Sequence, residues 1–256
     1  MFASEAEWPA VWSWTERQKY LSSDGASVFR FDGHGHYGKS VRQRSEILAA
    51  HNWGPPTISA GDGFSVSPWV EGTHPINADR DILIQLARYC AFRAEHFVHE
   101  TASASALEEV TRINLERAVG VSRSVVLPIE RPVITDSRMM PHEWIVAADG
   151  GFLKFDAAAH GDDHFYPGPT DIAWDLAGTI VEWNLASGAD DLLVSEYTRI
   201  AGDKISTRMT AYLVAYYVLR LGIMLSAAIS VRDASQRLRF DKTAESYRKR
   251  LVALLR

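Results

Sequence analysis

Four aspartates spread through one short mixed segment constrain this chain more than any other feature. Asp136 ends the apolar run VIT, and Asp156 ends FLKF about twenty residues later. Asp171 and Asp175 then open an apolar helix, TDIAWDLAG. Between the first two, WIVAA and GFLKFDA read as strands joined by Asp149-Gly150-Gly151, which predicts a hairpin. Carboxylates at strand ends beside a cleft are hard oxygen donors of the kind Mg²⁺ prefers. Phosphoryl transfer asks for little more. It needs a cation near the nucleotide phosphates, carboxylates for the metal, and one carboxylate to orient and deprotonate the acceptor hydroxyl.

The rest of the chain divides around residue 72. Before it, KYLSS and SVFRFD flank Asp24-Gly25, a strong hairpin signal, and Arg30 alternates with Phe29 and Phe31. A glycine-rich turn leads into the helix KSVRQRSEILAA, which carries Glu46, and TISA and FSVS form a second hairpin across Gly61-Asp62-Gly63. After residue 73 the pattern is mostly helical. Asn77 is placed to cap a helix running to about His99, and Ser105 with Glu108 fits a capping box. The expected architecture is α+β: an N-terminal lobe over 1–72, of antiparallel strands plus one helix, and a helical C-terminal lobe over 73–256 holding the hairpin.

Composition excludes several classes. With 46% hydrophobic and 23% charged residues the chain has the make-up of an ordinary globular protein. A net charge of −5 gives no electrostatic reason to expect nucleic acid or an anionic membrane as partner. The apolar stretch from Ala211 to Ile229 is broken by Arg220 and reads as a core helix rather than a span. The single cysteine, Cys90, sits in an apolar helical run and reads as a buried thiol. The N-terminal MFASEAEWPAVW lacks the basic segment and apolar core of a signal peptide, so a reducing cytoplasm is expected.

The order PVITDSRMMPHEWI, GFLKFDAAA, TDIAWDLAG resembles the aminoglycoside and choline phosphotransferase family, whose fold is the two-lobed protein-kinase-like one. The resemblance implies an ATP-dependent phosphotransferase acting on a hydroxyl of a small molecule, with Mg²⁺. It implies Asp136 as the catalytic base, Asp156 as a Mg²⁺ ligand, and Asp171 and Asp175 as braces of the catalytic loop and helix start. The family's loop carries an asparagine five residues after the aspartate. Here that place is Pro141, with His142 and Glu143 next to it as the remaining candidates for the metal. SVFRFD and the Glu46 helix resemble the kinase strand and helix whose basic residue pairs with a glutamate, so Arg30 and Glu46 are expected to pair beside the phosphates. FSVSPWVEG resembles the last strand and hinge, with adenine near Trp69 and Val70.

Three other readings compete. The altered loop, arginine in place of lysine at position 30 and the missing glycine-rich loop suit a pseudokinase, a nucleotide-binding scaffold working through a protein partner. Gly33 to Ser40 fits G-x-x-x-x-G-K-S, which would make Lys39 a phosphate ligand of a P-loop NTPase. Against that, SVFRFD alternates and follows a tight turn, whereas P-loop strands are buried on both faces. HGDDH, His160 to His164, has the residue types of a metal site or of a solvated loop.

Overall fold

The structure is a computed structural model, and it describes residues 8–15, 17–162 and 168–256. Its first layer is a four-stranded sheet built from β1 (Lys19–Leu21), β2 (Ser27–Phe31), β3 (Ile58–Gly61) and β4 (Phe64–Pro68). The order is β1-β2-β4-β3 and every pair is antiparallel. Helix α1 (Gly35–Ala50) joins β2 to β3 and buries Val41, Ser45 and Leu48. Both expected hairpins form. Gly25, Gly61 and Gly63 at their turns have positive φ, which a side chain would resist.

This sheet removes the P-loop reading. A P-loop strand belongs to a parallel sheet, but both neighbours of β2 run against it, and Lys39 lies exposed on α1.

The chain crosses over at β5 (Gly72–Thr73), which already pairs with β7 (Trp144–Ala147) of the expected central hairpin. Its partner strand is β8 (Phe152–Lys154), and the sheet order is β5-β7-β8. A third ladder joins β6 (Pro132–Val133) to β9 (Thr170–Asp171), so Asp171 closes a strand rather than opening a helix.

The helices are α2 (Arg80–His96), α3 (Ser105–Val119), α4 (Ala173–Glu182), α5 (Ala189–Ala201), α6 (Ser206–Ser230) and α7 (Ala234–Leu254). Two expected caps differ. Asp79, not Asn77, caps α2 by accepting from the Ile82 N–H (2.9 Å). Glu108 does not close a capping box; its Oε1 accepts from Leu127 N–H (2.8 Å), a tertiary contact that outcompetes the local one. α4 is the centre of the second layer, buried from Ala173 through Val181. α6 is long and apolar enough to cross a membrane by composition, yet it packs against α3, α4 and α7. That contact explains Gly178 on α4, where an added Cβ would lie 2.9 Å from the Tyr216 ring.

Candidate active site

The β6–β9 ladder delivers the loop after Val133 to the first turn of α4. There Asp175 accepts the backbone N–H of Asp136 through Oδ2 (2.8 Å) and of Ser137 through Oδ1 (2.9 Å). Trp174 Nε1 donates to Ser137 Oγ (3.1 Å) and Trp183 Nε1 to Met139 O (2.7 Å). Asp171 accepts from Glu130, Arg131 and Ala173 N–H and from Arg208 Nε (2.8 Å). Burial pushes the Asp175 pKa up to about 6, against the pull of Arg93 3.4 Å away.

Asp136 is wholly buried. Tyr89 Oη donates to its Oδ2, Arg93 Nη1 lies 3.8 Å from that oxygen, and Lys154 Nζ lies 3.5 Å from Oδ1. Arg93 also donates to the carbonyls of Ile134 (2.7 Å) and Ala157 (3.0 Å), tying α2 to both segments of the site. His160 closes the remaining side, its Nδ1 4.0 Å from Asp136. Burial, then Arg138 and Lys154, lower the His160 pKa well below the ordinary histidine value. Gly161 allows this approach, since a Cβ there would meet Thr135 O at 2.4 Å. His160 is thus a buried loop-packing residue. Asp163 and His164 of the same HGDDH stretch lie outside the described residues.

Asp156 faces the four-stranded sheet, with φ 59° in the left-handed region. Its Oδ2 accepts from Lys19 Nζ, and Arg30 Nη1 lies 3.9 Å from Oδ1. Burial alone would raise its pKa, but Lys19 and Arg30 outweigh it and hold the pKa below the usual carboxylate range. Arg30 donates to Asp32 Oδ1 (2.7 Å) and Ser45 Oγ (2.9 Å). The expected Arg30–Glu46 pair does not form, and Glu46 is exposed. At about 100° per residue, the helix face holding Val41, Ser45 and Leu48 turns position 46 away.

The adenine-side expectation also shifts. Trp69 is exposed beyond the end of β4, and neither it nor Val70 lines a cavity at the site. Ser65 and Ser67 of β4, with Val28 of β2, line the cavity under the sheet.

The residues expected to hold Mg²⁺ do not fit the ion. Glu143 accepts from Arg138 Nη2 (2.6 Å) and sits 3.8 Å from Lys154 Nζ, while Asp156 is engaged by Lys19 and Arg30. His142 lies beside Glu143 (4.0 Å) with its pKa lowered to about 4 by burial, then by Arg138 and Lys154. At nucleotide sites Mg²⁺ takes one or two carboxylates, and phosphate oxygens and water complete its octahedron. Here each candidate carboxylate is already held by two cations, Asp156 by Lys19 and Arg30 and Glu143 by Arg138 and Lys154.

Two cavities open on the site. The narrower lies under the sheet among Val28, Arg30, Ser65, Ser67 and Phe155. The wider lies towards Trp12, Arg138, Met140, His142 and Met224. Lys19 and Asp156 line both, and Asp136 lines neither. Sequence reasoning missed Lys19, Tyr89, Arg93, Arg138 and Lys154. A lone arginine inside the apolar run YCAFRAEHF was the available signal for Arg93.

No family model matches the sequence, and no curated protein sequence matches it. Solved structures match by fold. A choline kinase from Streptococcus pneumoniae aligns over 94% of this chain and 92% of its own, at TM-score 0.56 and 13% identity. The macrolide 2'-phosphotransferase MphH from Brachybacterium faecium aligns over 90% and 87%, at TM-score 0.56 and 15% identity. A GDP and kanamycin complex of an APH(2") enzyme aligns over 92% and 91%, at TM-score 0.53 and 13% identity. The small antiparallel sheet, the α1 insertion, the central hairpin and the helical second layer together are the two-lobed kinase-like fold that this chain shares with choline kinase and the antibiotic phosphotransferases.

Proposed function

We propose that this chain binds ATP in the narrower cavity and transfers its terminal phosphate to a hydroxyl of a small molecule held in the wider one. The observation that carries this is the shared wall at Lys19 and Asp156. Two reactants must meet with their reacting atoms about 3–3.5 Å apart, and a wall common to two cavities offers such a meeting point. The choline kinase and macrolide phosphotransferase named above share the fold, and another neighbour was solved with a nucleotide and a small-molecule ligand.

In the reaction the acceptor oxygen bonds to the terminal phosphorus while the bond from phosphorus to the bridging oxygen breaks. ADP leaves, and the hydroxyl proton passes to a carboxylate. Asp156 is the carboxylate at the junction and takes the part expected of Asp136, which Lys154 and Tyr89 close off. Lys19 and Arg30 offset the charge on the transferred group. Transfer of labelled phosphate from ATP across a panel of hydroxyl compounds tests the proposal. Asp156→Asn is expected to lower turnover by about 10² to 10⁴. A folded Asp136→Asn that loses turnover while Asp156→Asn keeps it would return the role to Asp136.

The enclosure of Asp136 favours a second reading, a nucleotide-binding scaffold without turnover that acts through a protein partner. Nucleotide binding with no transfer to any member of the panel would select it.

A further inference from the structure

We infer that this cleft holds the nucleotide phosphates directly on Lys19 and Arg30, without a divalent cation. The inference rests on the nucleotide reading above and concerns what neutralises the phosphates. It starts from strand register. Lys19 of β1 is the cross-strand partner of Arg30 of β2, so one antiparallel pair presents two cations side by side. Both reach the same carboxylate, Asp156, from the sheet side.

Each cation keeps donors for a ligand. The Lys19 side chain is 44% exposed at the junction of the two cavities. Arg30 is fixed by Asp32 and Ser45 through Nε and Nη2, and its Nη1 makes no hydrogen bond among the described residues. A guanidinium so oriented suits a phosphate oxygen, and an ammonium beside it supplies a compact second charge. Asp156 now engages both cations, and phosphate oxygens would share them with it.

At a metal-dependent phosphate site one or two carboxylates carry the dication, with phosphate oxygens and water completing its shell. Here the two candidate carboxylates are separated by charge: Asp156 with Lys19 and Arg30, Glu143 with Arg138 and Lys154. A dication entering between them would break the Lys19–Asp156 contact and stand against two positive groups. A phosphate entering there meets both cations and shares them with a single carboxylate.

The experiment is calorimetric titration of the intact protein with ADP and with ATP, in Mg²⁺ and in EDTA. The dissociation constant is expected to agree within about threefold between the two conditions, a difference well under 1.4 kcal/mol. In EDTA, Lys19→Met is expected to weaken binding by roughly tenfold or more. Asp156→Asn supplies the opposite sign: freed of its competitor, the cation pair is expected to bind nucleotide as tightly as wild type or tighter. Binding lost in EDTA, or weakened more than about tenfold by Asp156→Asn with an unchanged melting curve, overturns the inference while leaving the nucleotide site in place. Absence of binding in both Mg²⁺ and EDTA overturns the nucleotide reading itself, and the inference falls with it.

Discussion

Asp175 and Asp156 are both buried aspartates beside cationic side chains, yet they are held in different ways. Asp175 receives two backbone N–H groups and sits 3.4 Å from Arg93, which is itself fully buried. Asp156 is held by side chains alone, one of them the half-exposed Lys19. A backbone partner cannot leave without unfolding its segment, whereas an ammonium on a flexible stem can turn to a new anion. The first aspartate is therefore fixed by the scaffold, and the second keeps partners that can be exchanged.

Removing the cation on the scaffold side is the strongest way to break this contrast. Arg93→Met leaves Asp136 and Asp175 short of their buried cation and orphans two carbonyls. The expected loss is about 3–5 kcal/mol, or a melting temperature lower by roughly 10 °C, measured by calorimetry. A change of only a degree or two would show that the brace does not depend on it.

Acid titration sharpens the contrast by sign. His142 has a folded pKa of about 4 against an ordinary 6.5, so between those values the unfolded chain binds a proton that the folded chain refuses. Its contribution to stability is complete above pH 6.5 and is lost as the pH falls towards 4. Asp175, raised to about 6, acts oppositely: the folded chain takes its proton first, and stability is gained as the pH falls through that range. His142→Gln is expected to remove the first effect only. Relative to wild type it gains roughly 1–3 kcal/mol between pH 7.5 and 4.5 in urea unfolding. Parallel pH profiles for the two proteins would contradict this.

A smaller difference is expected between two amide replacements. Asp175→Asn, which loses charge beside Arg93 and one backbone acceptor, is expected to cost about 1–3 kcal/mol. Asp156→Asn, with a half-exposed partner, is expected to cost under about 1 kcal/mol. Equal losses in chemical denaturation would erase the distinction between the backbone-held and the side-chain-held aspartate. Smallest of all, Glu46→Ala on the exposed face of α1 is expected to stay within about 0.5 kcal/mol of wild type and to leave nucleotide affinity unchanged. A large loss of affinity would restore the expected pairing with Arg30.

The fold was legible wherever one short stretch decides the conformation. The Asp24-Gly25, Gly61-Asp62-Gly63 and Asp149-Gly150-Gly151 turns each force a hairpin, and TDIAWDLAG announces an apolar helix, though its first two residues pair as β9. The site was legible only in part. That Glu46 would turn out and Ser45 in depends on a single step of helix phase, finer than an apolar pattern resolves. The enclosure of Asp136 depends on Tyr89 and Arg93, more than forty positions earlier, and on Lys154 from the neighbouring hairpin. Such contacts are written in no local stretch. Asp79 displaced Asn77 as a cap for the same kind of reason, because two candidates lay within one turn of each other.

The short connection between β1 and β2 has a kinetic consequence. Residues 22–26 close it in a tight turn, with Gly25 N–H bonded to Ser22 O (2.9 Å), so this hairpin carries no long flap to fold over the cleft. A ligand held there by ion pairs at a partly open edge leaves at the rate those pairs break. Among related complexes, differences in affinity are set mainly by dissociation. Under the proposed function, occupancy of this cleft is expected to track the surrounding nucleotide pool from moment to moment, with short residence times in stopped-flow displacement and little memory of earlier concentrations.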